Sequence, residues 1–275
     1  MLYTTLNNGI KMPLLGFGVY KLAEGEACMN AVKCAIEAGY RSIDTAALYE
    51  NEKSVGQAIR TCGIPREEIF LTTKLGNPDQ MNGNIMEAFD ASLSKLGLDY
   101  VDLYLVHWPC APYHISSWPI MEKILQSGKA RAIGVSNYQP HHLDDIAQTS
   151  TVTPALNQIE MHPFFTQQSL RAYCRTHHIA PQSWSPLGGE RPVQEQLFAA
   201  PAITRLAAKY NKTPAQIILR WNIEHGVITI PKSANSARIA ENIDIFDFAL
   251  TVDEVAAIDA LNRDQRVGPD PDTHR

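Results

Sequence analysis

Four polar side chains in the N-terminal half of the chain have the types needed to reduce a carbonyl: Asp44, Tyr49, Lys74 and His107. A tyrosine phenol has an ordinary pKa of about 10 and is a poor acid–base group at neutral pH. An ammonium beside it favours the phenolate and lowers that value. Lys74 can supply the ammonium. Asp44 can hold it charged and in place, since a lysine leaving an apolar strand is costly to bury unless paired. A neutral His107 can hydrogen-bond a carbonyl oxygen and orient it. The set amounts to a proton donor beside a polarised C=O. Reduction also needs a hydride, which implies a nicotinamide cofactor. The sequence offers no nucleophile elbow and no metal cluster, so hydrolysis is not favoured.

Each of the four has an ordinary structural use as well. An Asp after a strand often caps a helix or forms a turn. A lone His at a strand end is commonly a satisfied structural residue, and Tyr49 suits a packed aromatic at a helix edge. Their meaning depends on whether the fold brings them together.

The elements that must do so alternate along the chain. After a hairpin at Tyr3–Leu6 and Ile10–Met12, turned by Asn7-Asn8-Gly9, eight strand-like segments follow. They are Leu14–Gly18, Ser42–Asp44, Ile69–Lys74, Leu103–His107, Ala132–Ser136, Ala155–Gln158, Ala180–Ser183 and Val227–Ile230. Helical periodicity fills the intervals at Glu24–Ala38, Glu52–Thr61, Asn84–Leu96, Pro140–Thr149, Gln168–His177 and Pro214–His225. An extra helix is predicted at Ala202–Tyr210, and two more, Ala237–Asn242 and Val252–Leu261, near the end. The pattern predicts an α/β fold, a (β/α)8 TIM barrel with an N-terminal β-hairpin and extra helices near the C-terminal end. A doubly wound sheet would carry a Gly-rich fingerprint after its first strand. Gly16-Phe17-Gly18-Val19-Tyr20-Lys21 has Lys where the third Gly belongs.

Gly18, Asp44, Lys74, His107, Ser136, Gln158, Ser185 and Lys232 all fall at or just past the C-terminal end of a predicted strand. In a barrel those ends converge on one face, where active sites are built. Composition agrees with a soluble enzyme. The chain has 275 residues, 45% hydrophobic and 19% charged, with a net charge of −5. That mild acidity argues against a nucleic-acid surface. Five widely spaced cysteines fit a reduced, cytoplasmic chain. No signal pattern stands at the N-terminus, and no apolar run approaches the ~20 residues of a membrane helix. Residues 1–275 are expected to form one domain, and a monomer.

The segments RSIDTAALYENEKSVGQAI, LDYVDLYLVHWP, ARAIGVSNY, LNQIEMHPF, SWSPLG and TIPKSANSARIAENIDIFDF together resemble the aldo-keto reductases, in family order and spacing. The ending IDALNRDQRVGPDPD is most similar to short microbial and protozoan members, among them 2,5-diketo-gluconate reductases and prostaglandin F synthases. The resemblance implies NADPH-dependent reduction of aldehydes or ketones, with Tyr49 as proton donor, Lys74 lowering its pKa, Asp44 paired with Lys74, and His107 positioning the carbonyl. It implies cofactor contacts from Gly18, Ser136, Asn137 and Gln158, and stacking of Trp184 on the nicotinamide. Ser185, Leu187 and Gly188 would line the pyrophosphate. Lys232, Ser233 and Arg238 would clamp a 2′-phosphate, with Glu241 and Asn242 at the adenine; two cations and a hydroxyl suit a dianionic phosphate. Tyr20, Trp108 and Tyr113 would line the substrate pocket. No metal site is implied. The chain departs from the family where Lys74 is followed by Leu75-Gly76-Asn77 rather than by an early Trp. It departs again in a short Cys110–Ser117 loop, and in Gly188-Gly189-Glu190-Arg191, which lacks strong apolar anchors. These leave the substrate open: a sugar ketone, a reactive aldehyde or a prostaglandin. A competing expectation is an NADP(H)-binding, redox-sensing subunit with little turnover, as in some barrels of similar fold.

Overall fold

The computed structural model describes residues 2–189 and 191–274. It opens with a hairpin, β1 (Tyr3–Thr5) against β2 (Lys11–Pro13), antiparallel and paired Thr4 to Met12. Gly9 takes φ 86°, a left-handed conformation that suits glycine. Eight parallel strands follow: β3 (Phe17–Gly18), β4 (Ser42–Asp44), β5 (Phe70–Leu75), β6 (Val101–Val106), β7 (Ala130–Ser136), β8 (Leu156–Glu160), β9 (Ala180–Trp184) and β10 (Ile228–Thr229). Each pairs with the next in chain order. The ring closes where Leu15 bridges Thr229, with Gly16 N–H donating to Thr229 O and Gly18 N–H to Pro231 O.

Helices surround it: α1 (Glu26–Glu37), α2 (Glu52–Thr61), α3 (Asn77–Asn82), α4 (Ile85–Leu96), α5 (Tyr113–Gln126), α6 (Pro140–Thr149), α7 (Gln168–Thr176), α8 (Arg191–Ala199), α9 (Pro201–Tyr210), α10 (Pro214–Glu224), α11 (Ser236–Ile243) and α12 (Val252–Asp259). Thr213 caps α10, its hydroxyl accepting from Gln216 N–H, with Pro214 in the first turn. The barrel and extra helices match the sequence-based expectation. Three helices do not. The stretches after Lys74, after His107 and after Gly189, where no helix is predicted, form α3, α5 and α8. In α5 the buried His114, Ser117, Trp118, Met121 and Ile124 lie on one helical face, and Pro119 sits inside the helix.

Strand alternation divides the interior. Outward residues such as Ile43, Leu71, Tyr104 and Val135 pack against the helices. Inward residues near the strand starts, Phe70, Leu103, Leu105, Ala132, Leu156 and Ile228, form a separate apolar cluster with Leu6 and Met12 of the hairpin region. The hairpin thus plugs the bottom of the barrel. At the other end the inward positions turn polar: Asp44, Lys74, Ser136, Gln158 and Gln182 are all buried. Gly18, Asp44 and Thr72 lie level across three strands, as do Ser136, Gln158 and Gln182 across three others.

Candidate active site

Lys74 leaves β5 into this polar end and is fully buried. Its ammonium places one hydrogen on each of three oxygens. Asp44 Oδ1 is 2.5 Å away, Thr45 O 2.9 Å and Tyr49 Oη 3.4 Å. An ammonium only donates, so Tyr49 Oη must accept in that contact. The phenolic O–H is therefore free to donate elsewhere. Asp44 Oδ2 accepts from Gln158 Nε2 across the barrel at 2.7 Å, and the same amide group reaches Gln182 Oε1 at 2.7 Å. Each atom of the carboxylate is thus held from a different direction. Tyr49 stands in a short 3₁₀ turn, Ala47–Tyr49, that follows β4 and ends in left-handed Glu50. Its ring lies 5.6 Å, edge to face, from His107.

The electrostatics differ from the sequence-based expectation in one respect. Burial, then the Asp44 charge and Tyr20, raise the Tyr49 hydroxyl well above its ordinary value. The expected lowering by Lys74 does not prevail, because loss of hydration outweighs one ammonium that Asp44 largely neutralises. In this form Tyr49 is a protonated phenol. Burial lowers Lys74, while Asp44 and Glu52 act to keep it charged. Burial, with the Lys74 charge and His274, pushes His107 well below its ordinary value, so its imidazole is neutral.

Two side chains that support this group were not singled out from sequence. Glu52 is buried on α2, with Oε1 accepting from Thr73 Oγ1 at 2.6 Å. Asn51 is also buried; it accepts from Thr45 Oγ1 and donates to Val19 O and Leu22 O, tying the Tyr49 turn to the β3 loop. Both stand in the block around Tyr49, but neither type nor spacing marks them out.

Tyr20 and Trp108 stand beside the four. The Tyr20 ring is 4.9 Å from that of Tyr49. Trp108 is buried, with the ring of His274 4.3 Å away. Tyr113 instead opens α5, exposed, and its ring joins none of these aromatic contacts among the described residues. His274 arrives from the chain end, which crosses the mouth. Glu160 Oε1 accepts from Val267 N–H at 2.6 Å and Oε2 from Gly268 N–H at 3.0 Å. Gly268 lies so close to Trp184 that a Cβ there would stand 2.4 Å from the indole. Sequence pattern gave no sign of this crossing, because it rests on contacts about 100 residues apart.

On the opposite side of the mouth, Asn137 takes φ 67° after β7. Its Nδ2 donates to His107 O at 3.0 Å and to Ser136 Oγ at 3.1 Å. Its Oδ1 accepts from Trp184 Nε1 at 2.8 Å, which keeps one lone pair available. Ser185 (φ 49°) and Gly188 (φ 87°) shape a tight turn closed by Gly188 N–H to Ser185 O. Leu187 packs into two apolar clusters, and Gly188 has Leu197 2.7 Å from where a Cβ would be. The β3 loop brings Gly18 against Ile230 O, 3.2 Å from a would-be Cβ. Past β10, Lys232 and Arg238 are exposed near the start of α11, where Asn235 Oδ1 accepts from Arg238 N–H. Burial and the charge of Lys21 lower the pKa of Lys232. No carboxylate pairs with Lys21, Lys232 or Arg238 among the described residues. Uncompensated cations at a helix N-terminus fit a phosphate, and Lys21 is an addition to the predicted set. Ser233 is buried and takes part in the turn through Asn235. Glu241 Oε1 accepts from Thr213 Oγ1 at 2.8 Å, and Asn242 is buried beside it.

A (β/α)8 barrel with a buried lysine–aspartate pair and a tyrosine at its C-terminal mouth defines an acid–base site of the oxidoreductase kind. The chain belongs to the aldo/keto reductase family, whose model matches residues 14–263. It is 48% identical to a 9,11-endoperoxide prostaglandin H2 reductase of Trypanosoma cruzi, over 98% of this chain and 94% of the relative. It is 49% identical to a glyoxal reductase of Bacillus subtilis, over 97% and 95%. Among solved structures, an aldo-keto reductase of Bombyx mori in complex with NADP superposes with a TM-score of 0.91 at 41% identity, covering 98% of this chain and 96% of that one. No helix among the described residues is long and apolar enough to cross a membrane.

Proposed function

We propose that this protein reduces aldehydes or ketones to alcohols with NADPH as hydride donor and the Tyr49 hydroxyl as proton donor. One observation carries the reading: Lys74 spends its three hydrogens on Asp44, Thr45 O and Tyr49 Oη, leaving the Tyr49 O–H free. When bound, NADPH supplies the hydride that reaches the carbonyl carbon. The residues of this chain do the rest. Neutral His107 and the Tyr49 O–H hold the carbonyl oxygen, so charge gathering there meets two donors. The Tyr49 proton moves to that oxygen, giving the alcohol. The resulting phenolate stands beside the Lys74 ammonium, which Asp44 and Gln158 keep in place. Tyr20 and Trp108 wall the substrate side.

Ser136, Asn137 and Gln158 would hold the nicotinamide amide, with the remaining Asn137 Oδ1 lone pair as acceptor. Trp184 would stack on the ring, Gly18 would let the backbone approach, and Ser185, Leu187 and Gly188 would carry the pyrophosphate turn. Lys232, Ser233 and Arg238, joined by Lys21, would take the 2′-phosphate, with Glu241 and Asn242 at the adenine. The site draws on one chain, consistent with residues 1–275 acting as one domain and as a monomer. Among the described residues none of the five cysteines is in a disulfide, which suits the reducing cytoplasm. The name of the glyoxal reductase relative supports a small dicarbonyl as the carbonyl substrate.

The reading is tested by NADPH consumption with 4-nitrobenzaldehyde. Turnover is expected; tight NADPH binding without turnover would favour a redox-sensing subunit. Arg238→Ala is expected to weaken NADPH far more than NADH in the same assay. Equal weakening of both would remove the phosphate clamp.

A further inference from the structure

Beyond Glu160 the chain end lands on α6. There Asp272 Oδ1 stands 3.1 Å from His141 Nε2 and 3.5 Å from His142 Nε2. One ligand atom from each of the three side chains lies within 4.8 Å of the others. Among the described residues no other three His, Cys, Asp or Glu side chains gather in this way. We propose that His141, His142 and Asp272 form a binding site for a divalent transition-metal ion, of which zinc is the type, that fastens the C-terminal segment to α6.

Ligand chemistry sets the class of ion. Two imidazoles and a carboxylate suit zinc, copper or nickel, whereas magnesium and calcium take all-oxygen sets. Spacing fits as well. Bonds of about 2.0–2.2 Å at tetrahedral angles put neighbouring ligand atoms about 3.3–3.4 Å apart; the two separations from Asp272 Oδ1 straddle that value, and all three atoms lie within 4.8 Å. At 3.5 Å the His142 contact is longer than a good hydrogen bond, so the cluster is not explained as an ordinary latch of two imidazole donors on one oxygen. Access is also provided. His141 and Asp272 are more than half exposed, while His142 is buried at 3%. One ligand is fixed by packing, and the other two face solvent, where an ion enters and water completes its coordination.

Two features oppose binding and set its cost. His142 Nδ1 accepts from Gln139 N–H at 3.2 Å, which puts the ring proton on Nε2 in the metal-free form. An incoming ion sends that proton to Nδ1, and half-buried Gln139 turns its N–H to water. The positive end of α6 also works against a cation. Asp272, and Asp145 one turn along beside His114, offset it. The consequence reaches the mouth. His274 follows Asp272 by two residues and lies against Trp108, next to His107, so an ion here would hold the substrate side of the mouth in place.

The test uses the full chain without an affinity tag, stripped by chelator and titrated with Zn²⁺ by calorimetry and with Co²⁺ by visible absorption. The wild type is expected to bind a single ion per chain, with Co²⁺ bands of a nitrogen–oxygen site and no thiolate charge transfer. His141→Ala and Asp272→Ala change exposed side chains that fold does not need; each is expected to weaken binding at least about 10-fold. Hydrogen exchange in residues 270–274 is expected to slow with Zn²⁺ in the wild type and not in either variant. Failure of the wild type to bind, binding unchanged in either variant, or exchange indifferent to Zn²⁺ would overturn the proposal.

Discussion

The two ends of the barrel are built from the same strands and do opposite work. At the bottom, inward Phe70, Leu103, Leu105 and Ile228 pack on Leu6 and Met12. Two to four residues further along β5 and β6, the inward positions become Lys74 and His107. The bottom is an apolar plug, with the buried Asp102 next to it neutralised by Arg66 and Arg131. The mouth is a buried lysine and a buried carboxylate held by named partners, beside a neutral histidine whose Nδ1 has no hydrogen-bond partner among the described residues. Such a group is expensive to bury, and a rigid apolar floor is what keeps it from collapsing. The bottom contributes stability alone, whereas the mouth carries the chemistry as well, on one set of strands.

Lys74→Met should break that comparison most severely. It removes the cation from a fully buried pair and leaves Asp44 with only Gln158 as partner, which costs about 3–5 kcal/mol of stability. Any protein that still folds should lose roughly 10²–10⁴-fold in turnover, because the Tyr49 phenolate loses its counter-charge. Urea unfolding and steady-state assays of the same preparation separate the two effects. Leu105→Ala should separate the two effects. A fully buried leucine cut to alanine costs about 2–5 kcal/mol, yet the folded fraction should turn over at close to the wild-type rate. A large loss of kcat in Leu105→Ala, with stability preserved, would show that the two ends are not separable.

The smallest expected effect is a pH dependence. His107 is pushed well below its ordinary value, and His142 down to about 4. In the unfolded chain both titrate near 6.5. Below that pH the unfolded state binds more protons than the folded one, so stability falls as pH drops from 6.5 towards 4. His142 alone should contribute about 3 kcal/mol of this loss. Denaturant midpoints measured between pH 7.5 and 4.5 check it; a midpoint that rises on acidification would contradict the buried, neutral histidines. The same neutral His107 predicts no acid limb near pH 6.5 in kcat/KM for reduction.

Much of this was legible in the sequence, and the reasons are local. Each mouth residue sits at the end of a short apolar run, so type and position alone placed Asp44, Lys74, His107, Ser136 and Gln158 on one face. Helices with clear periodicity and caps, such as α2, α6 and α10, were readable to within a residue or two. α5 was not, because Pro119 and the serines before Trp118 resemble loop composition, although its buried positions do follow a helical spacing. α3 and α8 are short and follow glycines. What no pattern could show was the chain end on the mouth. Glu160, Gly268, Asp272 and His274 meet their partners through tertiary contact only. The sense of the Tyr49 shift was also hidden, since it depends on how completely the fold strips water from the phenol.

The most direct test of the central claim is Tyr49→Phe, compared with the wild type for NADPH affinity and for turnover of 4-nitrobenzaldehyde. Loss of the hydroxyl removes the proton donor but leaves the ring, Lys74 and the cofactor side intact. The expected result is an NADPH dissociation constant close to wild type and a kcat lower by roughly 10²–10⁴-fold. A Tyr49→Phe protein that reduces the aldehyde at near wild-type rate would contradict the account, since the proton would then come from elsewhere.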